Sequence, residues 1–228
     1  MSIQMKDDSS GEDEGNKLSL KLLILGDSKI GKTSILERYV NQIFKDNYLV
    51  TIGMDIRIKR LQINNKSLNV HITDTAGQER FRSISKMQYN RTHGILIGFA
   101  LNDRKTFESI TYWVEQIYAN RGNNSEIGLV LFGNKCDDKD NIEVTEQEIN
   151  DIKTKYKLVY FETSAKENIN VQNLFEYIIK ETLIKKGLLQ NFGIKDGTPF
   201  DEIIINEREK EDIRPKKAVP KKKKKTFC

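Results

Sequence analysis

The sequence predicts an α/β protein with a doubly wound, mostly parallel six-stranded sheet, one antiparallel edge hairpin and helices on both faces. Apolar runs of strand length alternate along the chain with segments whose apolar residues recur at helical spacing. Two of the runs, 54–63 and 68–73, flank the turn residues Asn64-Asn65-Lys66, which is typical of a hairpin. A glycine-rich loop separates the first apolar run from the first helical pattern.

The other elements follow in order along the chain. Short, nearly continuous apolar runs predict buried strands at 18–25, 94–101, 127–132 and 158–161. Helical periodicity predicts helices at 34–40, 107–117, 146–156 and 170–186. The third helix follows a capping box made by Thr145 and Glu148. In a sheet wound this way, ligands bind at the carboxyl ends of the strands.

Length and charge divide the chain into three parts. Its 228 residues fit one domain with tails: an acidic disordered N-terminal tail at 1–16, a folded domain at 17–186 and a linker with a polybasic tail at 187–228. Eight lysines and arginines lie within 214–225, so the rest of the chain carries a net charge of −3 although the whole carries +5. The basic character therefore belongs to the tail, and no nucleic-acid-binding body is indicated.

Cysteine content and hydropathy bear on the compartment. Two cysteines, Cys136 and Cys228, cannot form a disulfide framework, which favours a reducing compartment. The N-terminal residues resemble no signal peptide, and no apolar run reaches the length of a membrane span. We therefore expect a cytosolic chain, with Cys136 as a buried structural thiol and Trp113 as a core residue.

The glycine-rich loop at 26–33 fits the pattern GxxxxGK[ST] in the strand–loop–helix context that this pattern requires. Such a loop wraps its backbone N–H groups around a diphosphate, and the following helix N-terminus adds a favourable dipole. Lys32 would reach the β- and γ-phosphates, and the Thr33 hydroxyl would ligate Mg²⁺. The predicted nucleotide-binding residues of this P-loop NTPase fold are Gly26, Asp27, Ser28, Lys29, Ile30, Gly31, Lys32, Thr33 and Ser34.

A second segment, Asp74-Thr75-Ala76-Gly77-Gln78-Glu79, follows the predicted strand 68–73. An aspartate at this strand end can hold Mg²⁺ through water, and Gln78 could orient an attacking water as the catalytic residue. The backbone N–H of Gly77 could meet a γ-phosphate. Taken alone, the segment is equally compatible with a plain surface turn.

Two further segments indicate the base. Asp137, in Asn134-Lys135-Cys136-Asp137, can accept hydrogen bonds from guanine N1–H and N2–H₂, while the Lys135 stem lies along the base. The segment 162–166 can offer a backbone N–H to guanine O6. The predicted base-side residues are Asn134, Lys135, Asp137, Ser164, Ala165 and Lys166. Four such segments in order at strand ends favour a guanine nucleotide.

The segments 26–33, 51–53, 74–79, 134–137 and 163–166 resemble the guanine-nucleotide motifs of the Ras superfamily, and 51–55, 74–81 and 162–166 resemble its Rab branch. The resemblance covers about 17–186. It implies a switch that binds GTP or GDP with Mg²⁺, hydrolyses GTP slowly and recruits effectors in intracellular vesicle and membrane traffic. It also implies that Thr51 completes the Mg²⁺ coordination with Thr33 and Asp74, and that Phe44 packs edge-on against guanine.

The same resemblance implies the partners. They are an exchange factor, a GTPase-activating protein, effectors and a prenyl-binding escort, with the protein itself a monomer. Cys228 after Lys221–Lys225 resembles a prenylated Rab tail, although it is not a C-a-a-X box. We therefore expect the chain in the cytosol and on the cytoplasmic face of an intracellular or plasma membrane. A nuclear-import signal or a merely solvated run is the alternative interpretation of the lysines.

Three features depart from the Rab pattern. Lys29 stands where glycine, alanine or serine is usual, Ile56 and Thr73 replace a phenylalanine and a tryptophan, and a lone cysteine ends the chain. Lys29 is either a tolerated exposed loop residue or a modifier of nucleotide exchange. The departures leave open a constitutively nucleotide-bound scaffold with little or no GTP turnover. An ATP-using P-loop enzyme is opposed by Asp137 and by the lack of a lid domain.

Overall fold

The computed structural model describes residues 18–45, 54–75, 86–121 and 127–207. Its strands are β1 (Leu18–Leu25), β2 (Met54–Ile63), β3 (Lys66–Thr75), β4 (Gly94–Ala100), β5 (Gly128–Asn134), β6 (Val159–Glu162) and β7 (Asn206–Glu207). Its α-helices are α1 (Lys32–Asn41), α2 (Lys86–Arg91), α3 (Arg104–Glu108), α4 (Ile110–Arg121), α5 (Glu146–Tyr156) and α6 (Val171–Lys185). Within these ranges no helix is long and apolar enough to cross a membrane.

The strands form one sheet in the order β6-β5-β4-β1-β3-β2-β7. Pairing is parallel from β6 through β3, whereas β2 pairs antiparallel with β3 and with β7. The predicted doubly wound α/β class and its edge hairpin are therefore confirmed. The predicted number of six strands was one too few, because a short strand from the end of the described chain adds to β2.

Each face of the sheet carries its own apolar core. Helices α1 and α6 cover one face, where Leu20, Leu22 and Ile24 of β1 are buried. Helices α3, α4 and α5 cover the other face, where the alternate β1 residues Leu23 and Leu25 are buried. Because both faces of β1 are covered, its sequence is a nearly continuous apolar run.

The helix predicted at 107–117 is divided into α3 and α4. Ser109 separates the two helices, and its hydroxyl donates a hydrogen bond to the Lys105 carbonyl oxygen at 3.1 Å. Serine side chains that bond to nearby backbone in this way weaken a continuous helix. The apolar periodicity crosses the break unchanged, which is why the sequence indicated one helix.

The segment 187–207, predicted to be linker, packs against the sheet, and we call it the C-terminal strap. Two short 3₁₀ turns, Leu189–Phe192 and Phe200–Glu202, precede β7. Four apolar side chains of the strap are buried in the α1/α6 core: Leu189, Phe192, Ile194 and Ile203. The predicted boundary of the folded part at 186 is thus about twenty residues too early.

Polar contacts attach the strap to the hairpin. Glu207 forms an ion pair with the buried Lys59 of β2, at 2.7 Å between Oε1 and Nζ. The same Lys59 Nζ donates to the Tyr39 carbonyl oxygen of α1 at 3.2 Å. Asn64 Nδ2 donates to the Phe192 carbonyl oxygen at 3.2 Å. The strap therefore closes around the hairpin edge of the sheet and neutralises a buried lysine.

Candidate nucleotide-binding site

The loop between β1 and α1 needs glycine at two positions. Gly26 has φ 137° and Gly31 has φ 94°, a backbone region that residues with a Cβ rarely adopt. A Cβ on Gly26 would collide with the Gly98 carbonyl oxygen, and one on Gly31 with the Asn134 side-chain amide. The loop thus lies tightly against β4 and β5, and its backbone conformation suits close approach to an anion.

Lys32, in the first turn of α1, lies beneath this loop. Its buried ammonium donates to the Gly26 carbonyl oxygen at 2.9 Å and to the Asp27 carbonyl oxygen at 2.7 Å. The two carbonyl oxygens fix the position of the Lys32 ammonium beside the loop. A phosphate on the loop would therefore meet a fixed positive charge.

Thr33 and Asp74 form a second contact, at the ends of β3 and the phosphate loop. Thr33 Oγ1 donates to Asp74 Oδ2 at 2.5 Å. Asp74 is 0% exposed, and its Oδ1 has no hydrogen-bond partner within the described part of the chain. Burial raises the pKa of the Asp74 carboxyl, while the Thr33 hydrogen bond and the Lys32 charge oppose that rise. An orphaned, buried carboxylate oxygen beside a hydroxyl fits a hard cation such as Mg²⁺.

Within the described residues, no acidic cluster supplies further ligands for such a cation. The described ranges contain no group of three or more histidine, cysteine, aspartate or glutamate side chains that could hold a metal. Thr51, which the sequence adds to the metal ligands, lies outside the described residues. Thr33 and Asp74 fit the hydrated, partly nucleotide-bound Mg²⁺ typical of P-loop proteins, which takes few protein ligands.

Asn134, at the end of β5, joins the phosphate loop to the base-side segments. Its Nδ2 donates to the Ile30 carbonyl oxygen at 2.7 Å. Its Oδ1 accepts from the Ala165 backbone N–H at 3.2 Å. The side chain is buried, so both hydrogen bonds are shielded from water. One residue therefore fixes the distance between the two halves of the site.

Asp137 is positioned by Ser164. Ser164 Oγ donates to Asp137 Oδ1 at 2.6 Å and accepts from the Glu167 backbone N–H at 2.9 Å. A carboxylate offers about four acceptor positions, so this single bond leaves room for the two donors of a guanine edge. Lys135, two residues earlier, adopts a left-handed φ of 67° that sharply turns the chain after β5.

Arg38 is a site residue that the sequence analysis missed. Its Nε donates to the Ala165 carbonyl oxygen at 2.8 Å and its Nη2 to the Lys166 carbonyl oxygen at 2.9 Å. Its guanidinium also lies 5.9 Å from the centroid of the half-buried Phe44 ring. Arg38 thus brings Phe44 and the 164–166 segment together. The one signal in the sequence was a basic residue in the last turn of α1.

Two expected core residues are buried. Trp113 is 7% exposed and Cys136 is buried, and burial raises the pKa of the Cys136 thiol. Trp113 has an additional contact that the sequence did not indicate, because its indole Nε1 donates to Asp27 Oδ1 at 2.9 Å.

The remaining predicted residues lie partly within and partly outside the described ranges. Ser28 and Ser34 are half-buried at the loop. Lys29 is exposed and adopts a left-handed φ of 64°, a backbone conformation that glycine adopts with less strain. Ile56 and Thr73 face each other across β2 and β3, with Ile56 58% exposed. The predicted residues Thr51, Gly77, Gln78 and Cys228 lie outside the described ranges.

Comparisons with known proteins agree with this geometry. A sequence model of the Ras family matches residues 21–184. The Ras-related protein Rab-19 of Xenopus laevis is 33% identical over 218 residues, covering 95% of this chain and 97% of the relative. Rab-13 of Bos taurus is 36% identical over 167 residues (73% and 81%), and Rab-10 of Diplobatis ommata is 36% identical over 181 residues (78% and 90%).

The family match spans both the phosphate loop and the base-side segments, and similarity to Rab proteins extends over nearly the whole chain. The sheet order and the juxtaposition of the motifs at its strand ends agree with that match. The chain belongs to the Ras family, and it is a Rab-like small GTPase that hydrolyses GTP and works in membrane traffic.

Proposed function

We propose that the four segments at the strand ends form one guanine-nucleotide site that serves as a timed switch with Mg²⁺. The observation that carries the proposal is Asn134, which bonds the Ile30 carbonyl oxygen on the phosphate side and the Ala165 N–H on the base side. A rigid link between the two halves suits a ligand with a fixed distance between base and phosphates.

The phosphate half consists of residues 26–34 and Asp74. Its backbone N–H groups and the Lys32 ammonium bind the β- and γ-phosphates, because the left-handed backbone at Gly26 and Gly31 and the ammonium bonded to the loop suit an anion. Thr33 and Asp74 would hold Mg²⁺, with Thr51 as the additional ligand that the family implies. When bound, Mg²⁺ neutralises charge on the phosphate oxygens.

The base half consists of Asn134, Lys135, Asp137 and residues 164–166, with Phe44 at its edge. Asp137 accepts from guanine N1–H and N2–H₂, and Ser164 keeps the carboxylate in place. Arg38 holds the 165–166 backbone, so that a backbone N–H of this segment can donate to guanine O6. Adenine presents no matching pair of donors to Asp137.

The hydrolysis step uses Gln78 as the residue that orients water, with the Gly77 N–H facing the γ-phosphate. In this type of site the intrinsic rate is slow, and an arginine from an activating protein raises it by about 10³ to 10⁵. Family membership does not favour the alternative of a constitutively bound scaffold with little turnover.

Gln78→Leu is expected to slow single-turnover hydrolysis of bound GTP, because leucine fills a similar volume but cannot hydrogen-bond water. The measurement is phosphate release from GTP-loaded protein, alone and with cell extract as a source of activating protein. Gln147→Leu, on the exposed start of α5, is the matched control and should hydrolyse GTP like the wild type. A wild-type protein with no turnover even in extract would favour the scaffold.

The partners of the family are regulators and effectors, and we extend the proposal to the membrane. Cys228 carries a prenyl group bound by an escort protein, and Lys221–Lys225 attract an anionic leaflet on the cytoplasmic face. The chain acts as a monomer that exchanges with the cytosol. Its effectors meet Ile56 and Thr73, which form a smaller and more polar corner than an aromatic pair would give.

Cys228→Ser is expected to move the protein from membrane to soluble fractions, because one lipid chain together with basic residues is needed for stable attachment. Replacing Lys221–Lys225 with glutamine should release a smaller fraction of the protein from the membrane than Cys228→Ser does. Each charge contributes about 1 kcal/mol near an anionic surface. Mass spectrometry of the cellular protein checks the modification directly. An unmodified Cys228 on membrane-bound protein would contradict the proposed prenylation.

A further inference from the structure

The side-chain carboxylate of Asp27, in the phosphate loop, has no role in the proposed nucleotide contacts. Asp27 follows Gly26 directly, in a loop whose N–H groups and Lys32 are arranged for an anion. A carboxylate free to turn into this loop would repel the phosphates and could occupy their N–H donors. Its position therefore bears directly on nucleotide affinity.

The structure holds this carboxylate away from the loop. Asp27 Oδ1 accepts from the indole Nε1 of Trp113 at 2.9 Å, across 86 residues of sequence. The Asp27 carbonyl oxygen accepts from Lys32 Nζ at 2.7 Å, so the backbone and the side chain of Asp27 are each held by a different residue. Trp113 lies on α4 and belongs to the apolar core on the face of the sheet that α3, α4 and α5 cover.

Further contacts hold the Trp113 indole and its helix in place. The Tyr112 ring packs edge-on against Trp113, at 5.4 Å between centroids. Arg121, at the end of α4, donates to the carbonyl oxygens of Tyr89 and Asn90 at 2.8 and 3.0 Å. A buried indole with a charged acceptor makes one of the stronger hydrogen bonds in proteins. The indole can therefore hold the carboxylate in one orientation.

We propose that Trp113 is a positioning residue of the nucleotide site: its indole N–H holds the Asp27 carboxylate against α4 and away from the bound phosphates. The proposal goes beyond guanine-nucleotide binding, on which it rests. It requires that the effect of losing Trp113 depend on the charge of Asp27. A purely structural role of the indole would not have this dependence.

The test is a double-mutant cycle read by dissociation of N-methylanthraniloyl-GDP at fixed Mg²⁺. Trp113→Phe keeps the ring but removes the donor, and the dissociation rate constant should rise about five- to tenfold because the freed carboxylate repels the phosphates. Asp27→Ala alone gives the reference rate of a loop without the carboxylate. Asp27→Ala with Trp113→Phe should dissociate within about twofold of Asp27→Ala alone, since no carboxylate remains for the indole to hold.

Ionic strength supplies a second readout. The increase caused by Trp113→Phe should shrink in 1 M salt, where the screening length falls to about 3 Å. Tyr118→Phe, elsewhere on α4, is the matched control and should change neither the rate nor its salt dependence. The proposal would be overturned if Trp113→Phe raised the dissociation rate constant equally with and without Asp27→Ala. It would also be overturned if Trp113→Phe alone did not raise the rate constant.

A second pair of variants leaves Trp113 in place in case Trp113→Phe does not fold. Asp27→Glu lengthens the side chain by one methylene, so that the carboxylate no longer meets the indole N–H in the wild-type geometry, and should raise the dissociation rate constant. Asp27→Gln has nearly the shape of Asp27→Glu without the charge, and it should dissociate more slowly than Asp27→Glu. Equal rates for these two variants would also overturn the proposal. A wild-type protein that binds no guanine nucleotide would instead refute the nucleotide site.

Discussion

Asp137→Ala is expected to lower the affinity for GTP by orders of magnitude. The Asp137 carboxylate is fixed by the Ser164 hydroxyl at 2.6 Å, so it would meet a guanine edge without reorganising. Two hydrogen bonds to a charged acceptor contribute about 1.5–3 kcal/mol each, so the loss corresponds to roughly 10²- to 10⁴-fold in the dissociation constant. Adenine cannot donate this pair of hydrogen bonds to Asp137.

Equilibrium competition against a fluorescent guanine nucleotide measures this effect. In the wild type, GTP should displace the probe at far lower concentration than ATP does. Asp140→Ala, an exposed aspartate in the 3₁₀ turn after the base-side segment, is the matched control and should bind GTP as the wild type does. Comparable affinities of the wild type for GTP and ATP would show that Asp137 does not read the base.

Where the chemistry is local, the sequence predicted the structure well. Asn64 and Asn65 both adopt a left-handed backbone, with φ of 48° and 63°, as a tight hairpin turn requires. The capping box at Thr145 forms both of its reciprocal hydrogen bonds with Glu148. These signals depend on residues within four positions of each other, so they can be recognised without knowing the fold.

The residues that tie the site together could not be predicted in this way. Arg38 meets Ala165 across 127 positions, and Trp113 meets Asp27 across 86. Each contact depends on the packing of whole helices against the sheet, and neither arginine at a helix end nor tryptophan on an apolar face is unusual. Periodicity placed both side chains on helices but could not name the atoms that they touch.

The C-terminal strap was missed for a related reason. Its buried residues are spaced irregularly, at 189, 192, 194 and 203, and its backbone forms 3₁₀ turns and a two-residue strand. A pattern of this kind matches neither a helix nor a long strand. The order of the strap comes from tertiary burial and from the Lys59–Glu207 ion pair, which a sequence pattern does not contain.

Ile203→Ala is expected to destabilise the protein by about 2–5 kcal/mol, the usual cost of truncating a fully buried isoleucine. Ile203 is 0% exposed and lies in the α1/α6 core with Ile63 and Leu68 of the hairpin. Alanine would remove this apolar contact and leave a cavity between the strap and the sheet. Chemical denaturation of the GDP-bound protein, at one saturating nucleotide concentration, measures the free energy of unfolding.

The next residue in the chain supplies the control. Ile204 is 63% exposed, and Ile204→Ala should change the free energy of unfolding by no more than about 0.5 kcal/mol. The two variants share composition, helix propensity and position in the chain, and they differ in burial alone. A large difference between them requires that the strap be packed on the sheet in solution. Equal, small effects would mean that residues beyond 186 behave as a linker, because an undocked segment exposes both isoleucines alike.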